Sequence, residues 1–266
     1  MVTGALLLAL AVARLLEVPA RPFQISVLGS PLGFNLSETT ILVLIIAGMA
    51  ATGVESLVRA HPLARAPVAN GGVQRTVVFW IVPALLTMAL AAWLSRISNV
   101  GLWTLGLLAA AVLIPLALLA EYAAVSPEQR RDTWLQWVYS VLIHLVGLIL
   151  FSVLYDARLR GLVEAPLLFI AATLLASRLF WALTDRTRRA ILYGAVAGLP
   201  VGQLALVLNY WPLSGLQGGL VLLLAFYVMV GLLQHNLTSG GLEKRMVLEY
   251  GGVALLGMLA LLVAVP

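Results

Sequence analysis

The segment Leu102–Tyr122 has the sequence LWTLGLLAAAVLIPLALLAEY, in which Glu121 is the one charged residue. As an α-helix it would be about 31 Å long, enough to cross a hydrocarbon core of about 30 Å. Eight further apolar segments of similar length lie near Val2–Val18, Thr39–Val58, Val77–Leu94, Trp134–Tyr155, Leu162–Thr184, Ala190–Asn209, Leu213–Gln234 and Met246–Val265. The sequence therefore predicts an all-α fold, a polytopic transmembrane helix bundle of about nine spans that forms a single integral membrane domain over residues 1–266.

The composition supports a membrane protein and excludes several other classes. Hydrophobic residues make up 62% of the chain and charged residues only 10%, which leaves no room for a large soluble domain. The absence of cysteine excludes disulfides, thiolate metal sites and cysteine nucleophiles. The net charge of +5 comes from basic residues in short loops, so the expected partner is the lipid bilayer and not nucleic acid.

The basic loop residues predict the orientation of the chain in the membrane. Alternate connections carry ten of them on one side: Arg59, Arg65, Arg75, Arg130, Arg131, Arg186, Arg188, Arg189, Lys244 and Arg245. The opposite side carries four: Arg21, Arg96, Arg158 and Arg160. Because Lys and Arg concentrate in cytoplasmic loops, this bias predicts a cytoplasmic N-terminus and an external C-terminus.

The connection over residues 22–38 differs from the other loops. Two short alternating segments, Phe23–Val27 and Phe34–Ser37, flank the Gly/Pro sequence of residues 28–33. This pattern favours a small external β-hairpin, with Ser37 as the N-cap of the second helix. An irregular loop is the alternative.

Polar residues recur on one face of the predicted fifth helix. Gln136, Ser140 and His144 are each four residues apart, and His144 falls near the middle of the span. A polar ring at that depth needs a protein partner or a water-lined cavity, so the three side chains are expected to face other helices. A proton-relay, ligand-binding or pigment-ligating histidine is one interpretation. A packing role, in which His144→Leu destabilises the protein, is the other.

The predicted seventh helix contains Gly198-Leu-Pro200-Val-Gly202-Gln203 close to the middle of the membrane. Proline removes one helical hydrogen bond and frees a carbonyl, and broken helices line the substrate sites of many transporters. Pro200 and Gln203 are therefore candidates for lining a cavity. A simple proline kink is the alternative.

Charged residues gather at the predicted cytoplasmic ends of several spans. The set proposed as an inner-leaflet ion network comprises Glu55, Arg59, Glu121, Arg178, Asp185 and Glu249. Glu55 and Arg59 are four residues apart and can pair directly. Arg178 lies nearly two turns inside its span, so it should pair with at least one of Glu55, Glu121, Asp185 or Glu249 unless it reaches the headgroups.

Motifs for chemistry are missing. The chain has no aspartate-rich motif for magnesium, no His-Glu-x-x-His zinc helix and no Gly-x-Ser-x-Gly elbow. Of the three histidines, His61 and His235 are predicted at the cytoplasmic edge and His144 in the middle of the membrane, so no metal site is expected from histidine alone. The sequence indicates no particular cofactor.

Several short motifs spread over the chain carry a resemblance. They are Gly29-Ser-Pro-Leu-Gly33, Ala51-Thr-Gly-Val-Glu55, Leu57-Val-Arg-Ala-His-Pro62, Ala120-Glu-Tyr122 with Ser126-Pro127, and Val201-Gly-Gln203 with Asn209-Tyr-Trp-Pro-Leu-Ser214. In these segments the chain resembles an uncharacterised family of bacterial polytopic membrane proteins with a domain of unknown function. The resemblance implies a multi-pass protein of the bacterial cytoplasmic (inner) membrane, and it implies no activity.

Three functions of different classes remain. The first is a non-enzymatic accessory or scaffolding membrane component, with a membrane protein partner or a second copy of the chain. The second is a transporter or channel for a proton, an ion or a small apolar solute, through a cavity lined by the fifth and seventh helices. The third is a lipid-modifying enzyme that uses Glu121, Glu249 or His235. A polar cavity reaching His144 favours transport, a dry bundle favours a scaffold, and an inner-leaflet groove exposing both glutamates favours the enzyme.

Overall fold

A computed structural model describes residues 1–15, 23–27, 30–34, 38–62, 77–126, 128, 132–159, 161–184, 186–239, 241 and 244–263. Within these residues the chain forms nine α-helices and one small β-hairpin. The helices are α1 (Val2–Leu15), α2 (Glu38–Ala60), α3 (Ile81–Leu94), α4 (Val100–Ala123), α5 (Thr133–Asp156), α6 (Gly161–Thr184), α7 (Thr187–Leu208), α8 (Gly215–Ser239) and α9 (Lys244–Val263). A 3₁₀ turn, Val77–Trp80, leads directly into α3.

Among the described residues, seven helical segments are long and apolar enough to cross a membrane, and they correspond to α2 to α8. Their mean hydropathy lies between 1.8 and 2.4, as expected for helices in contact with lipid. The described part of α1 has 14 residues, or about 21 Å at 1.5 Å per residue, and is too short to span alone. The described residues thus form a helix bundle with seven candidate spans, which indicates a multi-pass membrane protein.

The hairpin pairs β1 (Phe23–Val27) with β2 (Ser30–Phe34) in antiparallel register. Phe23 lies opposite Phe34 and Val27 opposite Ser30. The pairing falls inside the expected segment, but the expectation for the second strand, Phe34–Ser37, is wrong. The Gly/Pro sequence supplies most of that strand instead of the turn. Ser37, the expected helix cap, lies outside the described residues.

A glycine-lined contact joins α6 and α7 along their length. Gly194, Gly198 and Gly202 are four residues apart on α7 and therefore share one face. A Cβ on these glycines would lie 2.6 Å, 2.8 Å and 3.1 Å from three successive backbone carbonyl oxygens of α6, those of Thr173, Phe169 and Ala165. Small residues at this spacing let two membrane helices approach backbone to backbone.

The same contact explains why the interpretation of α7 as a broken helix is wrong. α7 stays helical from Thr187 through Pro200 to Leu208. The glycines on both sides of Pro200 pack against the backbone of α6, and the helix continues through the missing hydrogen bond. The Gly-Pro-Gly pattern marks a packing face here, and not an unwound binding site.

The centre of the bundle is apolar and lies among α3, α5 and α6. Leu86, Leu90, Ile143, Leu168 and Leu175 are all at most 1% exposed. These leucine and isoleucine side chains fill the space between the two ends of the bundle. Polar groups are consequently confined to a few places, and these form the candidate sites.

Candidate functional site

A buried ion pair joins α4 to α6. Arg178 donates from Nη2 to Glu121 Oε2 at 2.8 Å and from Nε to Glu121 Oε1 at 3.2 Å. Both side chains are only 1% exposed. Two parallel N–H···O bonds use the planar fork of arginine, which makes this a strong and directional pair. Glu55, Glu121 and Glu249 are the named acidic partners that the structure describes, and of these Glu121 is the one in contact with Arg178.

Aromatic residues complete the surroundings of the Arg178 guanidinium. Nη2 also donates to the Tyr139 hydroxyl oxygen at 2.8 Å. The guanidinium carbon lies 4.3 Å from the centre of the Tyr139 ring, 5.4 Å from that of Trp181 and 5.6 Å from that of Phe79. Aromatic faces attract cations at these distances. We call Glu121, Tyr139 and Arg178 the buried cluster, since hydrogen bonds and rings surround its charge.

The local sequence explains how the buried cluster assembles. Glu121 falls in the last turn of α4, Tyr139 in the second turn of α5 and Arg178 in the second-last turn of α6. Helices that alternate in direction bring these three positions to the same end of the bundle. All three side chains then point inward because the faces that carry them are otherwise apolar and buried.

The other charges of the expected inner-leaflet network form separate pairs. Glu55 Oε1 accepts from Arg59 Nε at 2.5 Å, and Glu55 Oε2 accepts from Trp80 Nε1 at 2.7 Å. Glu249 accepts from Arg245 at 3.0 Å on the surface of α9. Both ion pairs are four residues apart on one helix, so each is satisfied locally and does not reach the buried cluster.

The expected pairs of Arg178 with an acidic residue and of Glu55 with Arg59 are present, and among the described residues they form separate ion pairs. The 3₁₀ turn before α3 lies between two of the pairs, with the Phe79 ring near Arg178 and the Trp80 indole bonded to Glu55. Aromatic residues of this turn therefore lie between the two ion pairs. Asp185 lies outside the described residues.

Only one of the two ring nitrogens of His144 has a hydrogen-bond partner. Its Nδ1 lies 2.6 Å from the backbone carbonyl oxygen of Ser140, one turn earlier on α5. A carbonyl only accepts hydrogen bonds, so the neutral ring carries its proton on Nδ1 and presents a lone pair at Nε2. Nε2 is buried and has no hydrogen-bond partner. The ring packs edge-on against Phe226 and Tyr227 of α8, with centroids 5.6 Å and 5.7 Å apart.

A cavity of about 660 Å³ lies beside His144, between α5, α8 and α9. Ser140, His144 and Tyr227 are its polar lining residues, and the other lining residues are Val141, Leu145, Leu148, Leu220, Leu223, Leu224 and Gly257. Two lining residues, Val141 and Tyr227, are 64% and 41% exposed. The cavity therefore opens at the side of the bundle and has apolar walls. We call it the His144 cavity.

The remaining predicted polar residues are dispersed. Gln136 is exposed, so the expectation that it faces other helices together with Ser140 and His144 is wrong for this residue. Four-residue spacing on one helix places side chains on one side, but the neighbouring α8 covers only part of that side. Pro200 lines a second apolar cavity of about 250 Å³ with Leu204 and Met229, whereas Gln203 is exposed.

The sequence analysis missed a polar site at the opposite end of α6. Glu164, in the first turn of α6, is 1% exposed, and its Oε1 has no hydrogen-bond partner. The positive charge of Arg158 acts on the Glu164 carboxyl group electrostatically. One signal was available: Glu164 is an acidic residue inside an apolar segment that is otherwise free of charge until Arg178.

Arg158 and Tyr155 hold the connection between α7 and α8. The Tyr155 hydroxyl donates to the carbonyl oxygens of Leu208 and Trp211 at 2.9 Å and 3.0 Å. Arg158 has a positive φ of 45° and donates to the carbonyl oxygens of Trp211 and Leu213. These bonds satisfy the carbonyls that a helix end leaves free. The sequence analysis treated Arg158 only as a charged loop residue, whereas its hydrogen bonds stabilise the connection between α7 and α8.

The described residues bring together no arrangement of base, nucleophile and electrophile. Within the same part of the chain, no three His, Asp or Glu side chains are placed to hold a metal ion. No curated protein and no solved structure matches the chain. A family model described as "Protein of unknown function (DUF5656)" matches residues 18–264, nearly the whole length. The chain therefore belongs to this family of unknown function.

Proposed function

We propose that the protein is a non-enzymatic membrane component with an accessory or scaffolding role. The buried cluster carries this proposal, because its charges are saturated by one another and sealed from any substrate. Such a cluster gives α4, α5 and α6 a fixed relative arrangement without performing chemistry. A rigid bundle of this kind suits the positioning of partners in a membrane.

The membrane placement is part of the proposal. The ten-to-four bias of basic residues supports a cytoplasmic N-terminus, an external C-terminus and about nine spans, and we propose the cytoplasmic membrane of a bacterium as the location. The cysteine-free chain offers a direct test through Asn70→Cys, in the loop between α2 and α3. A membrane-impermeant thiol reagent should fail to label this variant in intact cells and label it after permeabilisation. Labelling in intact cells would overturn the orientation.

A lipid-modifying enzyme at the inner leaflet has little support. Glu121 is 0% exposed and is occupied by two bonds from Arg178, so it is not free to act as an acid or base on a lipid. Glu249 lies on the surface of α9 and is paired with Arg245. A groove that exposes both glutamates is the feature that such an enzyme needs, and burial of Glu121 is incompatible with it.

Passage or binding of a small apolar solute is the second candidate function, and the His144 cavity is the observation that favours it. Its volume of about 660 Å³ lies within the range of roughly 300–1,000 Å³ typical of small-molecule sites. Proton or ion passage has less support, since the cavity walls are apolar apart from Ser140, His144 and Tyr227.

Purified protein in liposomes separates the two candidates. A scaffold should give proton and apolar-solute flux equal to that of empty liposomes, and the protein should copurify from native membranes in a stable complex. Flux above this background that His144→Ala abolishes, and that the exposed control Gln136→Ala leaves intact, would reject the scaffold and favour transport. Gln136 is a matched control because it lies on the same helix as His144 but does not line the cavity.

A further inference from the structure

α5 and α8 run antiparallel along the His144 cavity. The Tyr227 ring of α8 packs against His144 of α5. Eight residues earlier on α8, Gly219 meets Ser152, which lies eight residues later on α5. A Cβ on Gly219 would lie 2.7 Å from the Ser152 Cα, so the two helices touch closely there. Early residues of α5 therefore lie level with late residues of α8.

The polar lining residues of the cavity are gathered at one of its ends. Ser140, His144 and Tyr227 line the end nearer the start of α5. Leu148 and Leu220 line the opposite end. Ser140 and Leu148 are eight residues apart, or about 12 Å along the helix. None of the described residues that line the cavity is charged. The cavity thus matches an uncharged amphipathic molecule with a small polar end and an apolar body.

Two hydroxyl groups at the polar end, those of Ser140 and Tyr227, make no hydrogen bond within the described part of the chain. By contrast, the hydroxyls of Thr104 and Ser177 each donate to a backbone carbonyl oxygen of their own helix. Ser140 is partly exposed and Tyr227 is 41% exposed. Both hydroxyls are therefore available to a ligand in the cavity.

The polar end lies well inside the helices that form it. Ser140 is seven residues, or about 10.5 Å, from the start of α5. Tyr227 is twelve residues, or about 18 Å, from either end of α8. A charged or zwitterionic headgroup is costly at such depth, and no lining residue offers it a counter-charge. The depth favours an uncharged hydroxyl over a phospholipid headgroup.

We propose that the His144 cavity binds an uncharged lipid alcohol, with its hydroxyl between Ser140 and Tyr227 and its apolar body against the leucines of α5 and α8. Serine and tyrosine hydroxyls both donate and accept, so the ligand hydroxyl can donate to one and accept from the other. The opening at the side of the bundle lets such a ligand enter from the bilayer. This inference rests on the second candidate function, solute binding at this cavity, and it names the ligand class.

Two matched photoreactive probes test the ligand class with the full chain in detergent micelles. One is hexadecanol with a diazirine in its chain, and the other is the same molecule without the hydroxyl. Labelling of the cavity residues is measured by mass spectrometry, relative to labelling of exposed residues on α4. The alcohol should label the cavity with about fivefold higher apparent affinity for each hydrogen bond that its hydroxyl gains. Unlabelled hexadecanol should compete.

Variants at the polar end test the proposed contacts. Ser140→Ala and Tyr227→Phe each remove a hydroxyl and keep the apolar walls. Each should reduce the preference for the alcohol over the alkane about fivefold. Labelling by the alkane should stay unchanged, which shows that the cavity is still formed. Thr104→Ala is the matched control, because its hydroxyl bonds to its own helix α4, and it should alter neither probe.

Two results overturn the proposal. If the alcohol and the alkane label the cavity equally, the occupant is any apolar chain, and the solute-binding function survives without the ligand class. If neither probe labels the cavity above the exposed residues of α4, the inference and the second candidate function fail together. Binding of the alcohol without flux in liposomes would support the inference and leave the scaffolding function intact.

Discussion

The buried cluster and the His144 cavity place polar groups inside the same bundle in opposite ways. In the cluster, Glu121, Tyr139 and Arg178 satisfy one another, and both members of the ion pair are 1% exposed. In the cavity, His144 has one bond to its own helix and an unpartnered Nε2, beside a space of about 660 Å³. A saturated, sealed group holds helices together, whereas a half-satisfied group beside open space is available to a ligand.

The largest expected effect comes from opening the cluster with Arg178→Leu. This change leaves the Glu121 carboxylate buried without its partner, which should cost about 3–5 kcal/mol in free energy of unfolding. Reversible unfolding in mixed detergent micelles measures the loss. The matched control is Arg245→Leu, which breaks the exposed pair with Glu249 and should cost less than about 1 kcal/mol. Equal losses in free energy of unfolding would show that the buried pair contributes no more to stability than the exposed pair.

Tyr139→Phe should have the next largest effect. The ring that faces the Arg178 guanidinium is kept, and only the hydroxyl that accepts from Nη2 is lost. Removal of a hydrogen bond to a charged group should cost about 1.5–3 kcal/mol in the same unfolding measurement. Tyr210→Phe, at a 90% exposed position, is the control and should change nothing. If Tyr139→Phe leaves the free energy of unfolding unchanged, the aromatic ring alone is enough to stabilise the guanidinium.

The His144 cavity is tested at its mouth by Val141→Trp. Val141 is 64% exposed, so the larger side chain can occupy the opening without disturbing the core. Loss of contact equivalent to about two methylene groups, or roughly 1.6 kcal/mol, should weaken binding of a small apolar fluorophore about tenfold. Leu108→Trp, equally exposed on α4, should leave binding unchanged. If both variants bind the fluorophore like the original chain, the cavity is not its site.

The smallest effect is expected for His144→Leu. The side chain bonds only to Ser140 on its own helix, and its Nε2 has no partner to lose. The free energy of unfolding should therefore change by no more than about 0.5 kcal/mol, in contrast to the destabilisation that a packing role predicts. A loss above about 2 kcal/mol would show that His144 stabilises the bundle, through its ring contacts with Phe226 and Tyr227 or through a bond at Nε2.

The helical segments could be predicted from sequence because apolar length is a local property. The segments containing Glu121, His144 and Arg178 all became long helices close to the expected bounds. The depth of Arg178 was also readable, and with it the need for a partner. The sequence could not show which of the four named acidic residues pairs with Arg178. The pairing with Glu121 depends on how closely α4 approaches α6 in three dimensions.

Other features needed the structure for equally physical reasons. The glycines around Pro200 fit either a broken helix or a close packing face, and only the position of α6 distinguishes the two. Four-residue spacing placed Gln136 on the same side of α5 as His144. It could not show that α8 packs against His144 and leaves Gln136 exposed. The burial of Glu164 depends on the helices that pack around the start of α6, which the sequence of α6 alone does not show.

A double-mutant cycle on Arg178 and Glu121 tests most directly whether the polar interior is structural. The single variants Arg178→Leu and Glu121→Leu each leave one buried charge alone, while the double variant leaves none. The double variant should therefore be more stable than either single variant, with a coupling free energy of at least about 2 kcal/mol. If the two losses simply add, the pair does not hold α4 to α6 as a unit, and the central claim of a sealed structural cluster is contradicted.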